Sequence, residues 1–155
     1  MANTTEYNAN RNHCEEIARN LERYADGDIY RCPECGEEFE LYGGIDGYHA
    51  PDDDDPEEYA VCPHCGYRSD DCGEWEQLGL YDYFTDCYDI EYRIGGDRQF
   101  RSVRVMVACG GPNIYIDTAS KQVELHWWTE RASFPISYDT VDLVNDFFEE
   151  LYECY

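Results

Sequence analysis

An α+β fold is predicted for this chain by three observations. Two matched cysteine turns of the form C-P-x-C-G sit among short alternating segments. Four strand-like runs follow between residues 87 and 128, separated by turns rich in Gly, Asn and Ser. Helical periodicity appears near each end of the chain. The predicted organisation is an N-terminal helix within residues 1–28, metal-binding β-hairpins over 29–69, an acidic connector over 70–86, and a unit over 87–155. That last unit is read as a four-stranded antiparallel sheet with a C-terminal helix.

Residues 12–26 (NHCEEIARNLERYAD) place Ile17, Leu21 and Tyr24 at i, i+4 and i+7, with Cys14 and Ala18 beside them. Gly27 is suited to ending the helix. Alternation on both sides of the first cysteine turn predicts a small hairpin, and YAVCPHCGYRS repeats that pattern after a Gly-, Pro- and Asp-rich loop. Beyond the connector, CYDIEYRI ends at Gly95-Gly96-Asp97, a hairpin signal. QFRSVRVMVAC carries Val103, Val105 and Val107 on one face, and IYIDT and QVELHWW supply two further strands. SYDTVDLVNDFFEELYECY then reads as an amphipathic helix. Val141, Val144, Phe148, Leu151 and Tyr155 form its apolar stripe, Asp142, Asp146, Glu149, Glu150 and Glu153 lie largely opposite, and Ser137 or Asp139 caps its start.

Cys32-Pro-Glu-Cys35-Gly and Cys62-Pro-His-Cys65-Gly carry the strongest chemical signal. Two thiolates separated by two residues can grip one ion from a tight turn. The proline presets that turn, and the glycine lets backbone amides point back at the sulfurs. Two such turns complete a four-thiolate site at Cys32, Cys35, Cys62 and Cys65, and the full set of ligands leaves no open position for catalysis. Over residues 29–69 the chain resembles the zinc ribbon group, in which two knuckles on β-hairpins clamp one Zn²⁺. The resemblance implies one structural zinc and carries no function with it. Rubredoxins hold iron in a similar pair of turns, but the aromatic and Pro-Gly pattern they have between the turns is missing here.

Composition narrows the function classes. Of 155 residues 43% are apolar, enough for a core, and 15 are tyrosines, which favour interfaces. No apolar run approaches the ~20 residues of a membrane span. The opening MANTTEYNANRNHCEE lacks the charged-then-apolar pattern of a signal peptide, so a soluble, cytoplasmic protein is expected. In that compartment the paired Cys-x-x-Cys spacings among the nine cysteines read as metal ligands rather than as disulfides. The net charge is −24 and unevenly spread, with residues 1–27 at −2 and residues 91–131 at +1. Such a chain repels nucleic acid and anionic membranes and favours a basic protein partner. The acids expected to meet that partner flank the second cysteine turn: Asp52, Asp53, Asp54, Asp55, Glu57, Glu58, Asp70, Asp71, Glu74 and Glu76.

Enzymatic chemistry finds no constellation in the sequence. Cys109 precedes Gly110-Gly111-Pro112 as a nucleophile on a turn could, but a nucleophile needs a base, and a buried thiol at a strand end is the ordinary reading. Cys14, Cys72, Cys87 and Cys154 have no assigned role. His13, His49 and His64 form no ligand or Cys-His pair, and the acids cluster in loops and on a solvated helix face. Trp127-Trp128 with Arg93, Arg98, Arg101 and Arg104 could form a platform for single-stranded nucleic acid. Core packing for the tryptophans and internal ion pairs for the arginines are the commoner roles, and the surrounding charge opposes nucleic acid.

Two function classes emerge. Duplex DNA carries one charge per ~1.7 Å of axis, so 24 charges match roughly 40 Å of duplex, about the width of a compact chain of this length. In size, charge and tyrosine content the chain looks like the small acidic antirestriction and anti-CRISPR DNA mimics of phages and mobile elements. That resemblance implies occlusion of a nucleic-acid-binding protein, with Asp and Glu standing where phosphates bind. The alternative is a zinc-ribbon adaptor that binds a basic protein in transcription or replication machinery without blocking it. A metal-handling or redox module is a further reading.

Overall fold

A computed structural model describes residues 4–40, 60–69 and 75–154. The chain divides into two compact units, Met1–Glu22 with Tyr83–Tyr155, and Arg23–Asp82. No helix among the described residues is long and apolar enough to cross a membrane.

The larger unit is built on five strands: β6 (Asp89–Ile94), β7 (Phe100–Ala108), β8 (Asn113–Asp117), β9 (Gln122–Trp127) and β10 (Glu130–Pro135). They form one antiparallel meander in the order β10-β9-β8-β7-β6. The α+β class is as predicted, but the sheet has five strands rather than four. The fifth, ERASFP, alternates weakly and ends in Pro135, which a sheet accepts on an edge strand because no ladder bond is lost. Val103, Val105, Ile114, Ile116, Val123 and Leu125 are buried on one face. Val107 was expected to join them, but a register shift between Met106 and Ala108 breaks the alternation and leaves it half-buried.

Helix α3 (Tyr138–Glu153) packs across β7 on that face, burying Val141, Val144 and Phe148. Ser137 is its N-cap, accepting from the Thr140 amide at 3.3 Å. Helix α1 (Thr4–Asp26) begins two turns before the predicted start, because residues 4–11 are polar and carry no periodic apolar signal. Cys14, Ala18 and Leu21 are its buried residues. Burial pushes the Cys14 thiol up to about 11, as expected of a cysteine that packs rather than reacts.

The opposite sheet face is polar and internally paired. Arg93 donates twice to Asp117, at 3.0 and 2.8 Å, and Arg104 stacks over the Tyr115 ring at 3.9 Å while pairing with Glu124 at 3.4 Å. Asp117 also accepts from the Ala119 amide at 2.9 Å. Burial alone would raise the Asp117 carboxyl. Arg93 and the amides of Ser120 and Ala119 outweigh it and hold the group below its ordinary range. A depressed folded value means a contribution that is complete above the unfolded carboxyl value of ~3.9 and is lost as pH falls through the folded value. Asp117→Asn should therefore destabilise the protein at neutral pH, and the gap to wild type should close on acidification below about pH 4. Urea melts at stepped pH check this, and a gap independent of pH would refute it.

The smaller unit holds β1 (Ile29–Arg31), β2 (Glu38–Glu40) and β5 (Glu76–Gln77) in a three-stranded sheet ordered β2-β1-β5. A separate two-stranded ladder joins β3 (Ala60–Val61) to β4 (Arg68–Ser69). The connector read as acidic and of no assigned structure therefore supplies a strand here, and also the short helix α2 (Leu80–Phe84), whose last two residues, Tyr83 and Phe84, belong to the larger unit. Gly27, at φ +76°, ends α1 as predicted. A Cβ there would lie 2.6 Å from Gln77 Nε2, which donates to the Gly27 carbonyl at 2.8 Å.

Candidate metal centre

Each cysteine pair occupies a turn between two short strands, and the two turns have the same hydrogen bonds. The Cys32 amide donates to Glu37 O at 3.0 Å and the Gly36 amide to Cys32 O at 2.9 Å. In the second turn, Cys62 donates to Tyr67 O and Gly66 to Cys62 O, both at 2.9 Å. Gly36 and Gly66 hold φ +75° and +76°, a conformation that favours glycine, so the glycine of each C-P-x-C-G is required by the turn.

The turns bring the four predicted ligands together. Cys32 Sγ lies 3.7 Å from Cys65 Sγ, and Cys35 Sγ lies 3.7 Å from Cys62 Sγ, with all four sulfurs within 4.8 Å of one another. A metal–sulfur bond of ~2.3 Å in a tetrahedron puts its sulfurs ~3.8 Å apart, so this arrangement fits one ion held by four thiolates. Such a soft donor set suits zinc or iron. Cys32 and Cys62 are buried and Cys35 and Cys65 exposed, so each turn offers one sulfur to the core and one to the surface.

Protonation at the cluster follows from crowding. Burial raises the Cys32 thiol, but the amides of Cys35 and Glu34 and the sulfurs of Cys65 and Cys35 more than offset this and leave it at about 7. At Cys35 the Glu37 amide acts to lower the value. Burial and the sulfurs of Cys65, Cys32 and Cys62 outweigh it and push the thiol up to about 12. One thiolate thus forms readily and a second beside it does not. A dication removes that conflict, so binding displaces protons and tightens as pH rises.

An aromatic shell backs the buried sulfurs. Tyr30, Phe39 and Trp75 are buried with Cys32 and Cys62, and Tyr67 packs against them. The Trp75 ring meets Phe39 edge-on at 5.5 Å and Tyr67 at 5.6 Å. The sequence reading missed this shell. Its only local signal is an aromatic residue within three positions of each knuckle glycine, and the role of Trp75 depends on long-range packing.

Of the acids predicted to meet a partner, Asp52, Asp53, Asp54, Asp55, Glu57, Glu58, Asp70, Asp71 and Glu74 lie outside the described residues, as do His49 and Cys72. Glu76 is exposed on β5 and pairs with Arg31 at 3.0 Å, while Arg31 also pairs with Glu38 at 3.2 Å. Two other expectations are corrected. Cys109 is exposed, not buried, because the chain leaves β7 and turns at Gly110, φ +91°. Trp127 and Trp128 are exposed rather than in the core, because they fall at the tip of the β9–β10 hairpin. The expected internal pairing holds for Arg93, Arg101 and Arg104.

Comparison of the chain with family models, curated proteins and solved structures returns no match.

Proposed function

We propose that this is a zinc-stabilised acidic protein that binds a basic, nucleic-acid-binding protein and occupies its phosphate-binding surface. The observation that carries the reading is the outer face of α3. Asp139, Asp142, Asp146, Glu149, Glu150 and Glu153 all fall within an arc of about 100° at 3.6 residues per turn. Five are exposed and Glu149 half-buried. Among the described residues none of the six takes part in an ion pair. The stripe runs ~21 Å, so it presents a carboxylate about every 4 Å of helix axis, close to the one charge per ~3.4 Å of axis that a single strand of duplex DNA carries.

Zinc is the proposed ion, because four thiolates with no open position serve scaffolding and this donor set suits it. Metal analysis that finds one zinc per chain and no visible absorbance supports this, and iron with visible bands refutes it. Competition tests the function. Adding the protein to a Cas nuclease or a restriction enzyme should displace DNA, with potency falling ~10-fold or more as salt rises through the physiological range. Neutralising the six α3 carboxylates as Asn and Gln should remove the competition. A complex that forms without displacing DNA would instead support the adaptor reading. No salt-dependent binding to any basic nucleic-acid-binding protein would sink both.

A further inference from the structure

The link between β9 and β10 is a two-residue loop, Trp128-Thr129, closed by the pair Trp127↔Glu130. Trp128 holds φ +54°, and it is the only residue of the pair in the left-handed region. Two-residue hairpins of that form prefer glycine at this position, and a bulky side chain there is strained. The same indole is 87% exposed, and its ring contact is the edge of Trp127 at 5.8 Å. Folding alone would favour glycine on both counts, for backbone comfort and for exposed apolar area. A residue set against local preference at an exposed tip points to recognition.

The surroundings say what would be recognised. Trp127, Trp128, Thr129 and Glu130 face Glu6, Ala9 and Asn10 of α1 across a groove of about 320 Å³. Asn10 Nδ2 donates to Glu130 Oε2 at 3.3 Å, which fixes that carboxylate at the groove wall. The lining carries two carboxylates and no cation. Arg11, on the same helix, is spent over the Phe134 ring at 5.4 Å. An indole face attracts cations through its quadrupole, and a guanidinium can stack on it while its edge donates to a carboxylate. Single-stranded nucleic acid would also stack on these rings, but the groove's carboxylates and the net charge of −24 oppose its phosphates.

We propose that this groove takes an arginine side chain of a basic partner, stacked on Trp128 and paired with Glu6 and Glu130. The inference rests on the reading that the partner is basic, and adds a contact that uses none of the α3 carboxylates.

The metal-loaded protein is titrated with hexa-arginine and hexalysine while the indole N–H resonances of Trp75, Trp127 and Trp128 are followed. The Trp127 and Trp128 signals should move, with hexa-arginine the tighter ligand. Trp128→Gly should weaken hexa-arginine binding ~3- to 30-fold while Tm stays level or rises, because glycine relaxes the turn. Glu6→Gln with Glu130→Gln should weaken it as well, without disturbing the hairpin. If α3 amides shift and the two indoles do not, this inference fails and the charge reading of α3 stands. A fall in Tm for Trp128→Gly would mark the indole as a packing residue and overturn it. So would an oligothymidylate that moves the two indoles when hexa-arginine does not.

Discussion

Replacing Cys62 by serine is expected to unfold the Arg23–Asp82 unit while the five-stranded sheet of the larger unit persists. The smaller unit has few resources besides its ion. Its strands are two or three residues long, and the buried cluster around Cys32 and Cys62 holds Tyr30, Phe39 and Trp75. Its ion pairs, Arg31–Glu38, Arg31–Glu76 and Arg23–Glu40, are solvent-exposed and screened, so they contribute little. Residues 28–69 carry a net charge of −10, which opposes compaction. A structural zinc contributes ~10–16 kcal/mol, comparable to or larger than the ~5–15 kcal/mol net stability of a whole domain. Losing one of four thiolates, and a buried one, should therefore leave this unit without a folded state. The larger unit buries Val103, Val105, Ile116, Leu125 and Phe148 without reference to the metal. Hydrogen exchange should show lost protection over residues 29–40 and 60–69 and retained protection over 100–127. A Cys62→Ser protein that lacks metal yet keeps native protection in both segments would show that the ion is not structural.

What could be read from the sequence divides along the range of the interactions. The cysteine turns were legible because a four-residue spacing and a following glycine encode their geometry locally. The end of α1 at Gly27 and the Ser137 cap were legible for the same reason. The core valines of β7 followed from period-two alternation as far as Met106, and the expectation failed at Val107 because a register shift depends on the partner strand. The fifth strand was hidden by weak alternation, and the Trp75 shell by its dependence on chain segments far apart in sequence. The two tryptophans were misplaced because a large aromatic is ordinarily buried, and only the hairpin register shows Trp128 at the tip. The acid stripe of α3 and its compact arc were visible as a pattern, but its exposure and, among the described residues, its freedom from ion pairs needed the structure.

Phe148→Ala is expected to destabilise the larger unit by ~3–5 kcal/mol, which for a unit of this size lowers Tm by roughly 15–30 °C. Phe148 is fully buried, and its ring meets Phe84 at 4.9 Å, Phe147 at 5.1 Å and Tyr92 at 6.3 Å. It anchors a helix whose outer surface works against it. Asp142 and Asp146, and Asp146 and Glu150, are like-charge pairs at i,i+4, each destabilising by ~0.2–0.5 kcal/mol. Glu149, Glu150 and Glu153 stand near the helix C-terminus, where negative charge opposes the dipole by ~0.3–1 kcal/mol each, and no basic residue lies in the last turn. Apolar burial by Val141, Val144 and Phe148 must offset these terms. One consequence separates a working surface from a merely solvated one. Neutralising the six carboxylates should raise Tm while removing competition with DNA, so stability and binding should move in opposite directions. If the neutralised protein gains stability and still competes undiminished, the α3 stripe is not the surface that meets the partner.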